Sequence, residues 1–340
     1  MAKSHKPLSV KEFVGLDLRR VVSSSDIQSQ KRLENAYVTE GRGVRSRPGT
    51  VTIAQVHEST KGLFATNGIL HAVAPSGYPA VAETQSPAIR YMFIGDDTGY
   101  DIDHIQGLSG VEIIGENDVG KGLPYVSILT KTGTYEHHYA DVEPSDPSDI
   151  INTLVTVPFK PSAGLLKLRS RLWAPSTTTG TVHFSSIVNG PRDWSEPADA
   201  GFIPVAKNAP GDRDIQGINY IRDRMVVAFD DSMQIWAVDE NPDNITLVET
   251  LNGPGTKFEN AMENVLGDMF YFSRGGFRSL ITATIENQRE ESDIGVKIRT
   301  LSKALPTDPE PVAIWSQSLG GYICSFGTTL LFFTYIPSEK

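Results

Sequence analysis

The sequence predicts an all-β protein, a β-propeller-like array of antiparallel blades with a short N-terminal arm. Three observations carry this. A hairpin recurs, in which runs of Val, Ile, Phe and Tyr are split by a tight polar turn. It appears at Leu168–Ser186 around Gly180, at Asp214–Val238 around Asp230-Asp231-Ser232, and at Asp268–Ile281 around Arg274-Gly275-Gly276. The last copy spans Gly321–Tyr335 around Gly327-Thr328. Aligned on their first strands, the four copies fall roughly 45 to 55 residues apart, the period of four-stranded blades rather than of a sandwich. Finally, 30 Gly and 21 Pro with 39% hydrophobic residues suit many short strands better than helices. One such unit cannot bury both of its faces, so it needs neighbours packed against it.

Residues 1–50 read as an arm. Phe13 to Arg20 is a brief apolar stretch, and Ser23-Ser24-Ser25-Asp26 reads as an N-cap leading into a helix over Asp26 to Tyr37. A turn-rich segment from Glu40 to Gly49 then carries Arg42, Arg45 and Arg47. The arm is too short and too polar to fold alone. It is expected to lie against the main domain or a neighbouring subunit, with the three arginines as subunit-interface candidates.

Residues 51–340 are expected to form the β-propeller-like domain. Val51–Ala54 and Ile69–Val73 read as strands, with an Asn67-Gly68 hairpin turn between them. Tyr91–Gly95 continues the theme, as does Tyr125–Leu129, which turns at Thr132-Gly133 into Tyr135–Tyr139. An acidic loop with two prolines, residues 141–149, is a possible internal boundary. Residues 189–214 read as irregular, and Glu259–Leu266 as a short helix.

The net charge of −10 means the whole molecule repels nucleic acid, although a local basic patch is compatible with it. A single cysteine, Cys324, excludes an internal disulfide and a cysteine-based zinc site; between Ile323 and Phe326 it reads as a buried strand thiol. The first residues lack the apolar core of a signal peptide, and no apolar run approaches the roughly 18 residues of a membrane span. A soluble chain made in a cytoplasm is expected.

Candidate chemistry is sparse. Gly115 to Gly122 has the Gly, Gly and Lys spacing of a phosphate-binding loop. Gly122 follows Lys121, however, where a magnesium-binding hydroxyl belongs, and a strand rather than a helix follows. An exposed turn is the simpler reading. Gly95 to His104 gathers four carboxylates and a histidine without the spacing of an EF-hand, so it reads as a solvated turn. His137 and His138 are adjacent in a strand and so point to opposite faces, which argues against a shared metal. Nucleophile-elbow and His-Glu-x-x-His signatures are absent. Trp173, Trp194, Trp236 and Trp315 read as core or inter-blade packing residues. No catalytic residue, cofactor or metal is expected.

Two regions together resemble one family. Gly15-Leu16-Asp17-Leu18, Leu33-Glu34-Asn35-Ala36-Tyr37 and Arg45-Ser46-Arg47-Pro48-Gly49-Thr50 resemble the start of tail hub or nozzle proteins of short-tailed bacteriophages, a group that includes the packaged-DNA stabilisation proteins. Arg171-Leu172-Trp173, Phe184-Ser185-Ser186, Asp193-Trp194, Ile221 to Phe229, Gln234-Ile235-Trp236 and Phe270 to Leu280 resemble the same group. The resemblance implies a propeller-like structural virion protein without enzymatic activity, assembled in the host cytoplasm into a hexameric ring in the tail. Such a ring meets portal or adaptor ring proteins above and anchors fibres or spikes. It closes the channel, retains packaged DNA and lets double-stranded DNA pass at ejection without specific recognition. No membrane is involved. The competing expectation is a carbohydrate-binding or glycan-cleaving propeller that binds a receptor. Cleavage would need two carboxylates about 5 to 10 Å apart in a pocket, and nothing in the sequence pairs them.

Overall fold

In a computed structural model of the chain, residues 34, 36, 44–46, 157–189, 193–209, 214–280 and 294–334 are described with their side chains, except those of residues 198 and 296. The backbone alone is described for residues 15–16, 29–30, 37–38, 62–66, 69–75, 89–94, 105–112, 123–130, 134–139 and 152–156. Two compact units emerge. One comprises Val51–Ile218 and Asp223–Thr250; the other comprises Met1–Thr50, Asn219–Arg222 and Leu251–Lys340.

The described residues are mostly strand. In the arm, β1 (Gly15–Leu16) pairs in parallel with β2 (Ser29–Gln30), and β3 (Ala36–Val38) pairs antiparallel with β4 (Val44–Ser46). Where the segment expected as a helix over Asp26–Tyr37 is described, residues 29–30 and 36–37 are strand and residue 34 is irregular, so no helix is seen there. Next comes a sheet of β5 (Gly62–Thr66), β6 (Ile69–Pro75) and β7 (Ile89–Ile94). Thr66 pairs with Ile69, so β5 and β6 form an antiparallel pair, with β5 as the strand before the expected turn; Asn67 and Gly68 themselves lie outside the described residues. Residues 51–54 lie outside the described residues. The meander of β8 (Ile105–Glu112), β9 (Leu123–Thr130), β10 (Thr134–Tyr139) and β11 (Asn152–Thr156) follows.

The four expected hairpins all form, each inside its own antiparallel sheet. The first sheet runs β12 (Leu166–Leu168), β13 (Arg171–Ser176), β14 (Thr181–Phe184), β15 (Gly201–Ile203). The second runs β16 (Gly217–Ile221), β17 (Arg224–Ala228), β18 (Ser232–Ala237), β19 (Thr246–Asn252). The third has β20 (Met262–Val265), β21 (Asp268–Ser273) and β22 (Gly276–Ser279). A short helix, α1 (Arg299–Ala304), precedes the fourth, made of β23 (Val312–Ser316), β24 (Gly321–Phe326) and β25 (Thr329–Thr334). The expected helix over Glu259–Leu266 is a single 3-10 turn at Glu259–Ala261 that runs into β20. Cross-strand pairing with β21, from Met262 opposite Tyr271 to Val265 opposite Asp268, overrides the helical pattern.

Period-two alternation explains why the sheets stack. In β13 all six side chains are buried, because Leu172 and Ala174 face one core and Trp173 faces another. The first core adds Val157, Phe159, Leu165 and Trp194. The second gathers Trp173, Val182 and Phe184 with Met225, Val227, Phe229 and Trp236, so β12–β15 and β16–β19 share one apolar layer. In the other unit, Phe270, Phe272 and Phe277 of the third sheet pack with Tyr322, Cys324 and Phe326 of the fourth. The Phe272 ring sits edge-on to Phe326 at 4.9 Å. Trp173, Trp194 and Trp236 are buried and Trp315 is packed against this last core, as expected of packing residues.

Cys324 is fully buried, and burial pushes its thiol up to about 12 despite the Tyr322 hydroxyl beside it. At neutral pH almost no thiolate forms. Native protein should therefore leave Cys324 unlabelled by a thiol reagent over hours, with one equivalent reacting promptly in denaturant; fast native labelling would contradict this core. Close packing sets a second expectation. A Cβ on Gly201 would lie 2.9 Å from the ring of its cross-strand partner Phe184, which is itself buried. Gly201→Ala should cost about 1–3 kcal/mol, read as a lower denaturant midpoint at unchanged slope.

Candidate interaction surface

Three features stand out from the sheets: a buried guanidinium, a pair of exposed hairpin tips, and an apolar strand with an acidic lead-in.

Arg171 opens β13 and its side chain is wholly buried. Its Nη1 donates to the carbonyls of Ser185 (2.6 Å) and Asp199 (2.8 Å); its Nη2 donates to the Asp199 carboxylate (2.9 Å) and the Glu240 carbonyl (2.7 Å). The cation lies 5.0 Å from the centre of the Phe184 ring, and that ring packs 5.2 Å from Trp173. Asp199, in the left-handed region at φ 61, turns its other oxygen to the Ser186 hydroxyl (2.5 Å) and the Ile187 N–H (3.2 Å). Burial pushes this carboxyl up, but the Ser186 hydroxyl, the Ile187 N–H and the Arg171 charge together hold it below the usual carboxylate range. The guanidinium is wholly buried, its Nε alone lacking a hydrogen-bond partner, and its contacts tie three loops together. Nearby, His183 stacks on Phe159 at 3.9 Å and shares a hydrogen bond with Thr181 (2.9 Å). Burial lowers its imidazole to about 4, so it is neutral at physiological pH.

The tips belong to the first hairpins of the second and third sheets. Arg222 (φ 56) and Leu266 (φ 51) both occupy the left-handed region where Asn or Gly is favoured. The Arg222 stem lies 3.9 Å from where a Cβ on Gly267 would stand. Asn219 donates to the Met262 carbonyl (2.8 Å) and Asn264 to the Tyr220 carbonyl (3.0 Å), which clamps the two tips side by side. Arg222 is exposed with no ion-pair partner among the described residues, and Leu266 is 63% exposed. In the other unit, the first-sheet tip Arg169 meets Asp223 at 3.2 Å; both are exposed, so the pair contributes little.

The strand is β23. Its Val312 (52%) and Ile314 (60%) point away from the core that holds Ala313 and Trp315. Just before it, Asp308 and Glu310 are exposed carboxylates without partners among the described residues.

Of the residues expected at a subunit interface, Arg45 is on β4, exposed and opposite Tyr37. Arg42 and Arg47 lie outside the described residues, as do the phosphate-loop mimic, the acidic turn after Gly95 and the loop at 141–149. His137 and His138 are consecutive in β10, opposite Thr153 and Asn152. Among the described residues no cluster of three His, Cys, Asp or Glu is placed to hold a metal, and no helix is long and apolar enough to cross a membrane. Sequence reasoning missed Asp199, Glu240 and the tip pair.

No family model and no curated protein matches the chain. Among solved structures, it is similar to BBS1N from a complex with ARL6DN at 14% identity, covering 54% of this chain and 50% of that one, TM-score 0.31. It is similar to Kluyveromyces lactis Hsv2 at 16% identity, covering 61% and 57%, TM-score 0.32. Chaetomium thermophilum Raptor is matched at 10% identity over 67% of this chain and 20% of that one, TM-score 0.41. The chain thus spans half or slightly more of the length of the first two. All three likenesses are distant. The class established by the strands and their pairing is an all-β chain of repeated antiparallel sheets.

Removing the Arg171 head group strands a carboxylate whose neighbours are fixed. Arg171→Met should destabilise by about 3–5 kcal/mol, read as the shift in urea unfolding. Two depressed pKa values also set an acid dependence. His183 must be neutral in the fold, so stability is complete above its unfolded value of about 6.5 and declines as pH falls toward 4. Asp199 adds a further loss as pH falls through the carboxylate range. His183→Phe should remove the upper phase of a stability-against-pH curve and leave the lower one.

Proposed function

We propose that this chain is a structural subunit of the tail of a short-tailed bacteriophage, part of a hub or nozzle ring that closes the DNA channel. In that role it retains packaged DNA, anchors fibres or spikes, and catalyses nothing. The observation that carries the reading is where the residues of the family resemblance fall. Arg171, Trp173, Phe184, Ser185 and Ser186 meet in one buried node, Ile221 to Phe229 supplies the Arg222 tip and β17, and Phe270 to Leu280 supplies most of β21 and all of β22. Scattered similarity that falls on packed sheet positions is what a shared fold would produce.

The physical role follows from this reading. A ring needs heterologous contacts between copies, and the exposed Arg45 hairpin, the tips and β23 are surfaces of suitable character. A net charge of −10 keeps the phosphate backbone from adhering as double-stranded DNA slides past. The partners are other copies of the chain in a hexameric ring, with portal or adaptor ring proteins on one side and fibres or spikes on the other. The protein acts in the virion, with no membrane involved.

The test is genetic and biochemical. Particles assembled without this chain should lose their DNA or lack fibres, read as empty heads in a density gradient and by electron microscopy. Filled, infectious particles without it would refute the tail-ring reading.

A further inference from the structure

We infer that the tips of one copy dock on the β23 strip of a second copy, with Arg222 facing Asp308 and Glu310, and Leu266 seated on Val312 and Ile314. The inference rests on the ring reading for the presence of a neighbouring copy, and it names the surfaces that would meet.

Both patches lie in one compact unit. The donor pairs one unpartnered cation with one exposed aliphatic side chain, held together by the Asn219 and Asn264 hydrogen bonds. The acceptor presents the complement in sequence order, two unpartnered carboxylates and then two outward-facing aliphatic side chains on an edge strand. Charge meets opposite charge and apolar meets apolar in the same contact, which fixes register as well as attraction. Neither patch matches itself, so the contact is heterologous and propagates to a ring or a filament.

The backbone of the donor points the same way. Arg222 and Leu266 are held at positive φ on exposed tips, where Asn would relieve the conformation. Non-glycine residues kept in such conformations cluster at functional positions. An Asn at 266 would make the hairpin easier to form and remove the apolar anchor.

The experiment is sedimentation equilibrium of the purified full chain, with thermal melts to verify folding. Arg222→Glu and Glu310→Arg should each weaken self-association about tenfold, and the two together should restore it to within about threefold. Arg222→Asn, which the left-handed turn tolerates, should weaken association without the reversed charge. Leu266→Asn should raise Tm while weakening association. Association unchanged by either charge swap, or a chain that stays monomeric at about 1 mM, overturns the inference. Those results leave particle filling untouched, so failure of this contact is distinguishable from failure of the tail-ring reading.

Discussion

The guanidinium of Arg171 is the one group whose burial everything around it must accommodate. Removing such an ion from water costs several kcal/mol even after relaxation, and the cost is offset only where its protons find partners at good geometry. Four hydrogen bonds do this, to acceptors far along the chain: Ser185, Asp199 and Glu240. The segment between β14 and β15 must therefore fold back over the start of β13, and the loop after β18 must bring a carbonyl to the same point. Irregular backbone is fixed there by charge rather than by ladder pairing. A buried ion pair adds little net stability over a hydrophobic replacement, but removing half of it is severe. Its contribution is to exclude other paths for those loops.

Around that point the sheets obey a plainer constraint. A strand with apolar residues on both faces, such as β13 or β17, cannot be satisfied by one layer. Trp173 needs the second sheet and Leu172 needs the residues before the first. The same logic, applied to β21 and β24, packs Phe272 against Phe326. Stacking is thus a consequence of strand composition, with the roughly fifty-residue period reflecting how much chain one two-faced sheet consumes.

This explains what could be read in advance. Hairpins are local, and Asp230-Asp231-Ser232, Arg274-Gly275 and Gly327-Thr328 sit between strands that pair across them. Glu259–Leu266 misled because alanine, methionine and glutamate favour helix locally, whereas register with β21 is decided by residues further along. Arg171 and Glu240 are 69 residues apart, and no spacing rule announces a main-chain carbonyl as the partner of an arginine. Asp199 gave a faint signal, an aspartate just before Ala200-Gly201 in a segment rich in turn formers, where a left-handed residue is common. The tips were legible as turns but not as surface, because exposure of Leu266 depends on what stacks beside it.

Two inversions of the ordinary rule remain, and together they separate framework from surface. Inside, polar groups are buried where apolar ones would suffice: Arg171, and Gln234, which accepts from the Trp236 indole and donates to the Val205 carbonyl. Gln234 is satisfied by these bonds and Arg171 is satisfied through both terminal nitrogens, its Nε alone lacking a partner, and each fixes a loop. Outside, Leu266, Val312 and Ile314 are exposed where polar residues would cost nothing, and Leu266 does so in a backbone conformation that disfavours it. Among the described residues nothing gains from that arrangement. Folding accounts for the first inversion; the second is the one that a contact between copies, as inferred above, would put to use.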